Sequence, residues 1–241
     1  MNELVGKLRS VRLKNERPIW VRPPINSSRA SWVTIFLDGE IYRDRVGAVA
    51  VIDALQGSMA DSWFVFVSME SPEARWLECP CYRPFAEFIV EELLPWLATQ
   101  YAEMGAVRQK TIVGLSYTGL AAAFIAMEFP GVFQKVISQS GSFWWNESWL
   151  VGQCRKQADV LPGEFYLDVG TREVQENVRH RADVLQVVSQ IGGVRGFRDA
   201  LLGRGCSVCY VEFEDGHEID AWRRALPAAL VWALPKETKL G

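Results

Sequence analysis

Apolar residues along this chain fall into short, nearly unbroken runs, separated by longer stretches in which they recur every three to four positions. The short runs read as strands over 31–37, 63–68, 110–115, 132–138, 164–169 and 207–213. Three are hydrophobic almost throughout, which suits strands covered on both faces. Helical spacing predicts helices over 84–102, 119–128, 173–191 and 221–234. In the first, Phe85, Phe88, Ile89, Leu93, Trp96 and Leu97 form the apolar stripe, and Pro95 predicts a kink or a last turn. Strand alternating with helix implies crossover connections and an α/β fold with a mostly parallel central sheet. Residues 9–22 read as one or two further strands at an antiparallel edge. Residues 142–161, with Trp144, Trp145 and Trp149, carry the weakest regular pattern. No repeat or linker divides the chain. The expected organisation is one domain over 1–241, with edge strands in about 1–30 and a core over 31–235.

Composition narrows the class of function. The 26 Lys and Arg against 29 Asp and Glu leave a net charge of −3, with no basic run to hold nucleic-acid phosphates. Hydrophobic residues at 49% and charged residues at 23% exclude fibrous and wholly disordered chains. No apolar run is long enough to cross a membrane. The first twenty residues mix charges and lack the apolar core of a secretion signal, so the expected compartment is the cytoplasm. Cys79, Cys81, Cys154, Cys206 and Cys209 are odd in number, and Cys79-x-Cys81 is tighter than a metal knuckle. Reduced, mostly buried thiols are expected, with no metal site and no cofactor.

The run Thr111-Ile-Val-Gly-Leu-Ser116-Tyr-Thr-Gly-Leu120 passes from an apolar strand straight into an apolar helix. A serine at such a junction sits on a sharp turn that lifts its hydroxyl above the carboxyl edge of the sheet, as a nucleophile requires. Gly114 supplies the small neighbour before it. Thr118 stands where the usual pattern has glycine, which arrives one place later at Gly119. The chain has two histidines. His217 lies in a loop after the last strand, placed to act as base; His180 falls within the predicted helix 173–191, between arginines, and reads as part of a solvated face. An orienting carboxylate should follow a strand between serine and histidine, which favours Glu173, then Asp215, then Asp168. Glu173 is also placed to cap a helix. Oxyanion donors are expected from the amides of Tyr117 and Gly39. For Asp38-Gly39 the plain alternative is a hairpin turn.

Together with Arg75, Glu78-Cys-Pro80, Glu91-Glu-Leu-Leu-Pro95, Phe129-Pro130, Ser138-Gln-Ser-Gly-Ser-Phe-Trp-Trp145, Gly170-Thr-Arg-Glu173 and Gly216-His217, these motifs cover about 30–235. In that order the chain resembles the enterochelin-esterase branch of an esterase family. The stretch from Ser138 to Trp145 is the most specific for that branch. The resemblance implies an α/β-hydrolase that opens siderophore trilactones such as enterobactin through an acyl-enzyme, with Ser116, His217 and Glu173 as its triad. It also implies that Arg75 and Glu78 occupy binding-cleft positions and that Trp144 and Trp145 wall an aromatic acyl group. A surface salt bridge between Arg75 and Glu78 is the structural alternative. Thr118 and Asp215 depart from the family's glycines and are expected to crowd the site. Feruloyl, acetyl or thioester hydrolysis, or a biosynthetic tailoring step, keeps the chemistry and changes the substrate. A catalytically dead ligand-binding protein is the reading from another class.

Overall fold

The computed structural model describes residues 3–25, 30–156 and 163–236. Its centre is an eight-stranded sheet built from β1 (Leu4–Ser10), β2 (Asn15–Arg22), β3 (Trp32–Phe36), β4 (Ser62–Val67), β5 (Gln109–Leu115), β6 (Lys135–Gln139), β7 (Glu164–Gly170) and, after a two-stranded hairpin of β8 (Val178–Arg181) and β9 (Val184–Gln186), β10 (Ser207–Phe213). Spatial order is β1-β2-β4-β3-β5-β6-β7-β10. The first two strands pair antiparallel and β2 joins β4 antiparallel, while every pairing from β4 through β3 to β10 is parallel. The predicted edge at 9–22 is therefore two strands. They begin five residues earlier than the pattern suggested, because β1 is half-exposed and its alternation is weak.

Helices cover both faces. On one side lie α1 (Ala48–Ala54), a π-helical turn before it at Ile41–Val46, and the long C-terminal helix. On the other lie α2 (Pro72–Glu78), α3 (Arg83–Glu87), α4 (Leu94–Gln100), the short α5 (Ala102–Gly105), α6 (Tyr117–Glu128), α7 (Trp145–Lys156) and α8 (Gln190–Gly203). The C-terminal helix, α9, spans Ile219–Ala233 and tolerates Pro227 inside it. α6 is buried from Tyr117 to Met127, so it is apolar all round rather than amphipathic. The predicted helix 84–102 runs in helical backbone from Arg83 to Gln100, with a π-helical turn at Phe88–Leu93 just before Pro95, the local irregularity that the sequence expected as a kink.

One predicted element is overturned. Residues 173–189 are not helical: they form a loop and the β8–β9 hairpin, and α8 starts only at Gln190, capped by the Ser189 hydroxyl on the Gly192 amide at 3.3 Å. Asn177 in left-handed backbone and the β-branched Val178, Val184, Val187 and Val188 break the helical reading. The weak stretch after Ser142 contains a left-handed turn at Asn146, Glu147 and Ser148, then regular helix to Lys156; residues 157–161 of that stretch lie outside the described residues. None of the five cysteines forms a disulfide. Among the described residues no helix is long and apolar enough to cross a membrane.

Candidate active site

Parallel register brings the carboxyl ends of β5, β6, β7 and β10 level: Leu115 pairs with Gln139, Gln139 with Asp168, and Gly170 with Phe213. The loops that leave these ends carry Ser116, Ser140, Glu173 and His217. Ser116 caps α6 with φ +53° and ψ −119°, a strained backbone that a serine adopts only when its surroundings impose it. Its amide donates to the Gln139 carbonyl at 2.8 Å, and its carbonyl accepts from Leu120 at 3.1 Å and Ser142 at 3.0 Å. Gly114 is required here because a Cβ would overlap the Thr118 carbonyl.

Ser116 Oγ lies 3.0 Å from His217 Nε2, and His217 Nδ1 lies 2.6 Å from Glu173 Oε2. Glu173 is buried, and its other oxygen accepts from Ser140 Oγ at 2.7 Å and from the Gly170 amide at 2.8 Å. The two other carboxylates are engaged elsewhere. Asp215 pairs with Arg224 and accepts from the Gly216 amide, while Asp168 accepts from Gln139 Nε2 at 3.3 Å and the Ser140 amide at 3.2 Å. Trp222 meets the His217 ring edge-on, 4.8 Å between centres. The Tyr117 amide is the first of α6 and has no intrahelical acceptor. Gly39 opens a second helical stretch, with the Tyr42 amide bonded to the Asp38 carbonyl at 3.0 Å. A Cβ on Gly39 would stand 2.9 Å from the Phe66 backbone, so the segment must be glycine to lie this close to β4.

Two hollows meet at Ser116. One, about 470 Å³, is lined by Arg75, Trp76, Tyr117, Trp144, Arg172 and His180 among others. The second, about 690 Å³, is lined on its apolar side by Ile41, Met69, Pro72, Leu115, Ile219 and Trp222. Ser116, His217, Arg75 and Trp76 border both. Arg75 binds the buried Asp38, Nε to the two carboxylate oxygens at 2.8 and 2.9 Å, and not Glu78. Glu78 lies outside both hollows, in a bidentate pair with fully buried Arg17 at 2.9 and 3.0 Å. The expected surface pair of Arg75 with Glu78 is thus replaced by two separate pairs, because α2 turns Arg75 toward the cleft and Glu78 toward β2. Trp145 is half-buried against the core and borders neither hollow. Trp144 borders the first hollow but is almost covered: His180 stacks on it at 5.0 Å and 10°, and its Nε1 donates to Gln190 Oε1 at 2.5 Å.

His180, read from the sequence as solvated helix face, is instead on β8 and lines the cleft. Trp76, Asp38, Ser140, Ser142 and Gln190 were also missed. Their signals are weak: a tryptophan on a short helix, and polar residues without a spaced partner. Thr118 is fully buried and bonds Asp38 Oδ2 and the Leu115 amide, each at 2.9 Å, so it backs the elbow rather than crowding the cleft. Among the described residues no cluster of His, Cys, Asp and Glu could hold a metal ion.

Residues 10–233 match the family described as "Putative esterase". The Iron(III) enterobactin esterase of Dickeya dadantii (strain 3937) is 28% identical over 239 residues, covering 94% of this chain and 53% of its own length. That of Escherichia coli (strain K12) is 29% identical over 240 residues, covering 95% and 56%. The chain therefore spans about half the length of the curated relatives it matches. Among solved structures, the enterobactin esterase of Shigella flexneri in the presence of enterobactin superposes with a TM-score of 0.83 at 22% identity, over 97% of this chain and 59% of that one. A ferulic acid esterase superposes at 0.75 with 17% identity, over 97% and 98%. At these identities the structural likeness establishes the α/β-hydrolase fold.

Proposed function

Since the chain belongs to the family described as "Putative esterase", we propose that it is a serine esterase acting through an acyl-enzyme, with a siderophore trilactone of the enterobactin type as its substrate. The observation that carries the reading is the unbroken chain of hydrogen bonds from Ser116 through His217 to Glu173, opening on a cleft. In this mechanism His217 Nε2 takes the Ser116 proton as Oγ attacks the ester carbonyl. Glu173, already bonded to Nδ1, holds the tautomer that leaves Nε2 free and stabilises the imidazolium that forms. The Tyr117 and Gly39 amides, each at the start of a helical segment, meet the oxyanion. The imidazolium then protonates the leaving alcohol, a water enters, and His217 draws its proton as it attacks the acyl-enzyme. As the second intermediate collapses the imidazolium returns that proton to Ser116 Oγ, the carboxylic acid product leaves, and the free serine is restored.

Three observations bear on the substrate. The similar curated proteins are Iron(III) enterobactin esterases. Arg172 gives one hollow a cationic group for an anionic catecholate, beside Arg75, whose charge is shared with buried Asp38. Trp76, Tyr117 and His180 give it aromatic edges and faces for the ring. A second reading, cleavage of a feruloyl-type ester, rests on the likeness to a ferulic acid esterase that matches this chain over nearly its whole length. It keeps the mechanism and supplies a single aromatic acyl group instead of a macrocycle.

The deciding experiment is hydrolysis of apo and ferric enterobactin with product masses, alongside methyl ferulate, using Ser116→Ala as control. Serine-dependent release of linear catecholate trimers or monomers supports the trilactone reading. Turnover of methyl ferulate alone supports the second. An aryl fluorophosphonate that fails to label Ser116 would sink both.

A further inference from the structure

The turn after β6, Ser140-Gly141-Ser142, lies in the sequence stretch most specific to the resemblance, yet the acyl-transfer scheme leaves Ser140 without a task. Ser140 is fully buried with φ +45°, where glycine is the unstrained choice. The backbone is pinned in that conformation from three directions. Its amide donates to the Asp168 carbonyl at 2.9 Å and to Asp168 Oδ1 at 3.2 Å, and its carbonyl accepts from Gln190 Nε2. A serine kept at a glycine position implies that its side chain is used. Its Oγ accepts from Trp222 Nε1 at 3.1 Å and donates to Glu173 Oε1 at 2.7 Å. Its single proton is thereby committed to Glu173, and one lone pair to Trp222. Two residues on, Ser142 Oγ stands 3.4 Å from Ser116 Oγ, so one turn touches both ends of the hydrogen-bonded chain.

We propose that Ser140 is a positioning residue for the esterase reaction: its hydroxyl, fixed between Trp222 and Glu173, sets the carboxylate plane that in turn sets His217. This rests on the proposed Ser116-His217-Glu173 triad. With Oε1 held by Ser140 and the Gly170 amide, Oε2 has one direction left and points at Nδ1. Without the hydroxyl, Oε1 keeps a single donor and the carboxylate can rotate about its last bond. Imidazole orientation is then lost in the same motion.

Ser140→Gly tests this directly, since it removes the side chain while relaxing the backbone. With 4-nitrophenyl acetate as substrate, kcat should fall by about ten- to hundredfold, the worth of a hydrogen bond to a charged group, with KM nearly unchanged. The relaxed backbone offsets part of the stability lost when Trp222 Nε1 and Glu173 lose their partner, so the melting temperature should fall by only a few degrees and the variant should stay folded at the assay temperature. Ser140→Ala carries the same kinetic expectation should the glycine variant not fold. The losses should also be shared: in a Glu173→Gln background, Ser140→Gly should cost less than about threefold more. Unchanged kcat in the single variants, or losses that multiply with Glu173→Gln, would overturn the proposal while leaving the triad standing. If Glu173→Gln itself leaves kcat untouched, the triad reading fails and takes this proposal with it.

Discussion

At Gly114 a single missing carbon decides whether the nucleophile turn can form. A Cβ there would overlap the Thr118 carbonyl and carbon, both rigid backbone, so no side chain can move aside. Gly114→Ala should therefore destabilise the protein by about 3 kcal/mol or more, visible as a melting temperature lower by roughly 6 °C or more. Thr118, four residues on, works in the opposite sense. Its hydroxyl ties Asp38, itself at φ +57°, to the start of α6. Restoring the family's glycine with Thr118→Gly should cost stability, about 1–3 kcal/mol in thermal unfolding, without raising turnover. A gain in kcat would show that Thr118 does crowd the cleft. Two of the candidate carboxylates make a third residue-scale comparison. Glu173→Gln should lower kcat by about a hundredfold or more, whereas Asp215→Asn, which only loosens Arg224, should stay within about twofold.

At the scale of elements, legibility followed the apolar runs that burial mostly supplies, although half-exposed β10 was legible over 207–213 as well. Strands β3 to β7 are covered on both faces, so their residues form apolar runs that nothing else explains, and they were placed to within a few residues. The same burial makes α6 apolar all round, and the strand-to-helix junction around Ser116 stood out for that reason. β8 and β9 are different. They are short, mostly exposed, and joined to the body through side chains rather than through the sheet, so their period could not outweigh a helical reading of 173–191. His180 was misplaced with them. It stacks on Trp144, lies 6.4 Å from Trp76, and bonds Gln186 within the hairpin at 2.8 Å. Arg181 adds a cation–π contact over Trp76 at 5.5 Å. The hairpin is thus a wall of the cleft held by aromatic contacts, and His180 bonds Gln186 rather than any member of the Ser116–His217–Glu173 chain. His180→Ala should raise KM by about three- to tenfold and leave kcat nearly unchanged, the pattern of lost uniform binding. Steady-state kinetics on the preferred ester would check it, and a fall in kcat with constant KM would assign His180 to the chemistry instead.

At the scale of the whole molecule, one buried acid ties the helix layer of α9 to the sheet and makes stability depend on pH. Gln139 Nε2 donates to Asp168 Oδ2 and to the Trp222 carbonyl, each at 3.3 Å, while its Oε1 accepts from Tyr42 at 3.1 Å. This bridge joins β6, β7, α9 and the π-helical turn across one face. Burial raises Asp168 to about 7; the hydrogen bonds from Gln139 and Ser140 oppose the rise, and the nearby Glu173 charge adds to it. In the unfolded chain an aspartate titrates near 4. Between those two values the folded protein holds a proton that the unfolded chain has released. Stability therefore falls as pH climbs from about 4 to about 7, and this contribution levels off above it. Asp168→Asn cannot ionise and removes that segment of the curve. Its absolute melting temperature also reflects the acceptor it gives up, so the slope is the quantity to read. From pH 5 to pH 8 the variant should gain on the wild type by about 5 °C or more. Melting curves at four pH values measure this. Parallel curves would mean that Asp168 is already ionised at pH 5, its charge carried by the Gln139 and Ser140 hydrogen bonds against the cost of burial.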